Sequence, residues 1–147
     1  MLIRLAKAED CAALAALDAL SNPAPWSATQ FTTAIAQPHN TIMLIEQQKK
    51  CMGFAVWQTI CDESELHLIA TAPECRRQGY ASQLMALWQQ DCHKHGVQRL
   101  LLEVRASNHA AQQLYNKLGF QAYARRPHYY TLPDGTREDA VLMEQLC

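Results

Sequence analysis

Two hydrophobic periods alternate along this chain. Apolar residues recur at every second position over Met1–Ala6, which predicts a strand, and then at helical spacing over the Ala/Leu-rich segment Glu9–Leu20, where Pro23 and Pro25 stop it. Ser27-Ala28-Thr29-Gln30 has the form of a capping box and predicts a second helix to about Gln37, ahead of Pro38. Strands are expected at about Thr41–Glu46, Gly53–Cys61 and Glu65–Ala72, the first two separated by the polar turn Gln47–Lys50 and the third ended by Pro73. Ala81, Leu84, Met85, Trp88 and Cys92 then fall on one helical face, and Gly96 is a natural stop after about His95. Arg99–Arg105 reads as an apolar strand. Ser107 or Asn108 caps a helix that ends by Gly119, and strands at Phe120–Thr131 and Arg137–Leu146 flank the turn sequence Leu132–Gly135. The order is β-α-α-β-β-β-α-β-α-β-β, with no repeat and no linker.

Composition limits what this pattern can be. With 147 residues, 49% of them apolar, residues 1–147 are expected to form one domain. A formal net charge of -1 gives no electrostatic support to binding nucleic acid or anionic membrane. No apolar run approaches the ~18 residues of a membrane span, and no charged-then-apolar leader opens the chain, so a cytoplasmic protein is expected. The six cysteines never form Cys-x-x-Cys and match no zinc spacing, so they read as reduced thiols. His93 and His95 stand two apart on a helix and point away from one another, so no metal site is expected.

Three segments carry candidate chemistry. The first is Arg76-Arg77-Gln78-Gly79-Tyr80-Ala81-Ser82, between a strand and a helix. Free backbone N–H groups and the helix dipole make such a turn an anion site; Gly79 permits close backbone approach and Ala81 is small. The second is Glu103, an acid within the apolar run Leu100–Val104. It either sits at a wet strand end, paired with its same-face neighbour Arg105, or points into a cleft where it can accept a proton. The third is the helix Asn108–Gly119, where Tyr115 shares a stripe with Ala111, Leu114 and Leu118.

Arg76–Ala81 resembles the Arg/Gln-x-x-Gly-x-Gly/Ala signature of the GCN5-related N-acetyltransferases (GNAT), and Asn108–Phe120 is similar to that family's Asn-x-x-Ala-x-x-Leu-Tyr-x-x-x-Gly-Phe helix. The order of elements is also that of the family. The resemblance implies a mixed α/β sheet with helices on both faces and with splayed central strands, here Glu65–Ala72 and Arg99–Arg105. It implies acetyl-CoA as acetyl donor, bound by the backbone of Ile69, Ala70 and Thr71, by Arg76–Ser82 and by Asn108. Thr71 stands where Val is usual. Glu103 would be the base and Tyr115 the acid that protonates the departing thiolate.

Asn22-Pro23-Ala24-Pro25-Trp26-Ser27, Leu101–Asn108, Arg126-Pro127-His128-Tyr129-Tyr130 and Glu138-Asp139-Ala140 resemble segments of one bacterial branch. Its members acetylate the N-terminal alanine of the eighteenth small-subunit ribosomal protein. That implies a ribosomal-protein N-terminus as partner, Trp26, Tyr129, Tyr130, Glu138 and Asp139 at the acceptor side, and a monomer or weak dimer. An α-amine titrates near 7.7–8.0 against about 10.4 for lysine, so its deprotonation is easier by roughly 3.5 kcal/mol, within reach of a carboxylate base. A small-molecule amine (polyamine, amino acid or antibiotic) is the alternative acceptor. A non-catalytic acyl-CoA-binding module would need Arg76–Ala81 but not Glu103 and Tyr115 together.

Overall fold

The computed structural model describes residues 1–147. Strand β1 (Leu2–Leu5) leads through a 3₁₀ turn, Ala8–Asp10, into α1 (Cys11–Ser21) and then α2 (Ala28–Ala36). The Ser27 capping box forms: its hydroxyl accepts from the Gln30 N–H, while the Gln30 side chain accepts from the Ser27 N–H at 2.8 Å. Strands β2 (Asn40–Gln47), β3 (Lys50–Ile60) and β4 (Glu63–Thr71) precede α3 (Tyr80–Lys94), β5 (Arg99–Arg105), α4 (His109–Lys117), β6 (Gln121–Thr131) and β7 (Arg137–Leu146).

The expected order holds, with small differences at the edges. β3 starts three residues before the expected Gly53 because Gln48 and Lys49, at φ 51° and 63°, make a two-residue turn that pairs Gln47 with Lys50. Asn108, and not Ser107, caps α4, its side-chain oxygen accepting from the Ala111 N–H at 3.2 Å.

One mixed sheet of seven strands runs β1-β2-β3-β4-β5-β7-β6. β3 shows why it needs cover on both faces. Phe54 meets Phe31 of α2 edge-on at 5.5 Å, whereas Trp57, three residues on, donates its indole N–H to Asp91 of α3 at 3.2 Å. Residues 53–57 are therefore buried throughout, as a strand sandwiched between helices must be. Trp88 of α3 ties its helix to the sheet by donating to the Ser64 hydroxyl at 2.8 Å and stacking on Phe120 at 5.7 Å.

Two irregularities interrupt the sheet around β4. β4 and β5 run parallel but pair only at Glu63–Arg99, Ser64–Leu100 and Glu65–Leu101, while β5 stays paired with β7 to Arg105–Ala140. From Leu66 onward, then, β4 has no strand on that side. On its other side β4 carries a bulge: Trp57 pairs with Leu66 but Val56 pairs with Leu68, so His67 is an extra residue.

Candidate active site

The gap between β4 and β5 opens into a cavity of ≈ 640 Å³, walled by Leu66–Ile69 of β4, Glu103–Arg105 of β5, Asn108 and Tyr115 of α4, Tyr129–Thr131 of β6 and Ser21–Ala24 after α1. Leu100, Leu102 and Val104 are buried in the core, so the strand alternation turns Glu103 and Arg105 to the other face of β5, where both line the cavity. The ion pair expected with Arg105 at a wet strand end does not form. Glu103 faces the cavity, and its ion-pair partner is Arg126, Nη1 to Oε1 at 3.3 Å, reaching over β7 from β6.

Tyr115 is buried with its ring edge-on to Phe120 at 6.3 Å. No protein group hydrogen-bonds its hydroxyl, and it lines the cavity. Burial pushes its pKa up to about 12, so it keeps its proton at neutral pH. Tyr130, half-buried on the far wall, is raised to about 12 by burial first and by the Glu103 charge second.

β4 presents backbone to the gap. The Ala72 N–H bonds the Met52 carbonyl at 2.8 Å, so alternation turns the N–H groups of Ile69 and Thr71 away from β3 and toward the splayed side, while Ala70 faces β3. Beyond Pro73–Cys75 the chain makes the tight turn before α3, with Arg77 at φ 66° and Gly79 at φ 79°. The first bond of α3 is Gln83 N–H to Gly79 C=O at 3.0 Å, which leaves the N–H groups of Tyr80, Ala81 and Ser82 without acceptors. A Cβ placed on Gly79 would meet nothing within 4 Å, so the space above this cradle is open. The Tyr80 ring itself turns inward, where its hydroxyl donates to Gln47 at 2.8 Å. This arrangement of free donors and open space suits a diphosphate.

The acceptor-side residues divide into two groups. Tyr129 and Tyr130 meet edge-on at 5.1 Å on the cavity wall. Glu138 and Asp139, expected at the acceptor side, do not line it, which corrects that placement. Glu138 accepts from the Ser107 N–H at 2.6 Å, and Asp139 accepts from the His128 N–H at 2.9 Å and from Arg125 Nε at 2.7 Å. These bonds hold both carboxyls below their ordinary range, Glu138 through Ser107 and Asp139 through His128 first and Arg125 next. The two acids hold the backbone beside the site. Between Arg126–Ala140 and Tyr130–Glu138, three residues of β6 face one of β7, and Asp139 clamps that bulge, where His128 sits at φ 54°.

Trp26 packs on Phe31 at 5.3 Å and meets His67 edge-on at 6.4 Å, outside the cavity lining. Sequence reasoning missed what holds it. Asp18, fully buried in α1, accepts from the Trp26 N–H at 2.8 Å and from the Asn22 side chain, fixing the segment whose Ser21–Ala24 form the cavity wall. The available signal was an acid on the stripe of Cys11, Leu14 and Leu17. The His67 bulge and the reach of Arg126 had no such signal.

A family profile described as Acetyltransferase (GNAT) family matches residues 11–120. Among curated proteins, the ribosomal protein bS18-alanine N-acetyltransferase of Haemophilus ducreyi is 37% identical over 119 residues, 81% of this chain and 81% of its own. The protein of the same name from Escherichia coli is 40% identical over 119 residues, 81% of this chain and 79% of its own. Among solved structures, the Escherichia coli ribosomal-protein-alanine N-acetyltransferase superposes with TM-score 0.91 at 34% identity, covering 99% of this chain and 92% of that one.

Proposed function

This chain belongs to the GNAT acetyltransferase family, and from that premise we propose that it acetylates the N-terminal alanine of ribosomal protein bS18 by direct transfer from acetyl-CoA. The observation that carries the reading is one cavity, opened by the β4–β5 splay, that brings a carboxylate and a protonated phenol together beside unpaired backbone donors. The names of the curated relatives at 37% and 40% identity support the acceptor.

The residues fit the donor. The N–H groups of Tyr80, Ala81 and Ser82 would hold its diphosphate, with Arg76, Arg77 and Gln78 at the rim of the turn and the Asn108 amide nearer the reaction. The pantetheine amides would pair with the open edge of β4, where the Ile69 and Thr71 amides lie on the splayed side. When bound, acetyl-CoA supplies the acetyl group as a thioester. A backbone N–H of that segment polarises the acyl oxygen as charge develops on it. Glu103, directly or through a water, takes the proton that the α-amine must lose before it attacks. Tyr115, a neutral phenol at pH 7 whose proton burial holds more firmly still, hands that proton to the departing sulfur. No covalent enzyme intermediate is required: Cys75, Cys51 and Cys92 are all pushed up in pKa by burial, away from the thiolate form.

The assay is acetylation of a bS18 N-terminal peptide by the purified protein, with spermidine and free lysine as competing acceptors. Transfer to the peptide α-amine is expected. Transfer to the small amines alone would replace the peptide in this reading.

A further inference from the structure

Arg126 is unlike the other paired arginines of this chain. Arg4, Arg99 and Arg125 each hold a carboxylate at 2.8, 2.6 and 2.7 Å respectively, whereas Arg126 reaches Glu103 only at 3.3 Å and makes no hydrogen bond to it. Its side chain is 53% exposed while that of Glu103 is 21% exposed, so a loosely held cation covers a partly desolvated carboxylate. The strand register explains how it gets there. Ala140 of β7 pairs with Arg105 on one side and Arg126 on the other, and its small side chain lets the guanidinium cross β7 toward Glu103. The same guanidinium has a second hold: its carbon lies 5.3 Å from the centroid of the Tyr129 ring, on the bulge that Asp139 clamps, so the ring can keep the cation when the ion pair is broken.

We propose that Arg126 is a displaceable counter-ion, which in the free enzyme takes the place at Glu103 that the acceptor's α-ammonium takes in the complex. This rests on the reading of Glu103 as the base. An amine with a pKa near 7.7–8.0 arrives mostly as the ammonium at pH 7, carrying the same charge as the guanidinium. Two cations cannot share one carboxylate without repulsion, so the arriving ammonium breaks the Arg126–Glu103 contact and leaves Arg126 held by the Tyr129 ring alone. Arg126 thereby keeps the carboxylate compensated while the site is empty, and it lowers the apparent affinity of every cationic acceptor by the fraction of enzyme in which it is engaged. An acceptor with further contacts, such as a peptide, still binds in spite of that common penalty. Arg126 therefore sets the affinity that any cationic acceptor must bring to the site.

The test is a double-mutant cycle read by calorimetry, titrating CoA-saturated enzyme with the bS18 N-terminal peptide. Arg126→Gln should tighten peptide binding about two- to fivefold, the range of a solvent-accessible ion pair. In the Glu103→Gln background the same substitution should change nothing. Arg126→Lys, which keeps a cation, should bind the peptide like the parent. Equal tightening in both backgrounds would show general charge repulsion between Arg126 and a basic peptide and would overturn the inference. Unchanged or weaker binding in Arg126→Gln would overturn it as well, making Arg126 a substrate contact or a bystander. The parent's own activity on the peptide separates these results from a failure of the functional reading.

Discussion

The carboxylate of Asp18 is wholly buried in α1, and it accepts the Trp26 backbone N–H at 2.8 Å. A helix residue thus fixes the entry to the next helix, and with it the Ser21–Ala24 wall of the cavity. Asp18→Ala strands that N–H and the Asn22 amide. The expected loss is about 1–3 kcal/mol of stability and a higher peptide KM, with acetyl-CoA affinity retained. Denaturant melts and calorimetry of the two ligands check this, and Asp18→Asn should recover part of both losses.

Glu103→Gln keeps shape and removes basicity. Because the carboxylate lines the cavity while the cradle lies at the start of α3, kcat/KM should fall by ~10²–10⁴ with little change in acetyl-CoA affinity. Steady-state kinetics at neutral pH decide this; activity kept within a few-fold would move the proton transfer to another group or to solvent.

Tyr115→Phe preserves the edge-on contact with Phe120 and removes a hydroxyl that has no protein partner. At neutral pH, stability should be unchanged while kcat drops by ~10² or more. The pH dependence has a definite sign. The folded-state pKa of about 12 lies above the ordinary 10.0, so the unfolded chain loses the proton first. Stability contributed by the neutral phenol is fully present below pH 10 and is lost as pH rises through about 12. Tyr130, also raised to about 12, adds to the same window. Urea melts between pH 9 and 12 should show this fall, and Tyr115→Phe should blunt it.

Gly79→Val tests the cradle. The residue is left-handed at φ 79°, with nothing within 4 Å of a built Cβ, so the substitution strains the turn and fills the open space without striking the core. Acetyl-CoA affinity should drop by about tenfold or more, while the fold survives with a melting temperature lowered by a few degrees, since left-handed strain costs roughly 1–2 kcal/mol. Calorimetry with acetyl-CoA and a thermal melt check the two halves.

The fold was legible where one period dominates. β5 and β7 fall on the expected residues, and α2 starts at its expected capping box. Glu103 and Tyr115 were legible because an acid in an apolar strand and a tyrosine on a helical stripe break or complete a pattern. Contacts made across strands were not. Arg126 reaches Glu103 over Ala140 only because β6 and β5 flank β7, and chain order does not state that adjacency. Glu138 and Asp139 could not be recognised as backbone anchors because their partners are N–H groups of Ser107 and His128, which a sequence does not display. The His67 bulge is likewise a matter of register.

Acetyl transfer that depends on Glu103 and ends on the α-amine of bS18 leaves a mark that can be weighed in cells. The deciding experiment is intact-mass spectrometry of ribosomal proteins from cells lacking this chain, complemented with the parent or with Glu103→Gln. In the deletion strain bS18 alone should lack one acetyl group, regain it with the parent, and stay unmodified with the variant. Fully acetylated bS18 in the deletion strain, or restoration by Glu103→Gln to the parental level, would contradict this function.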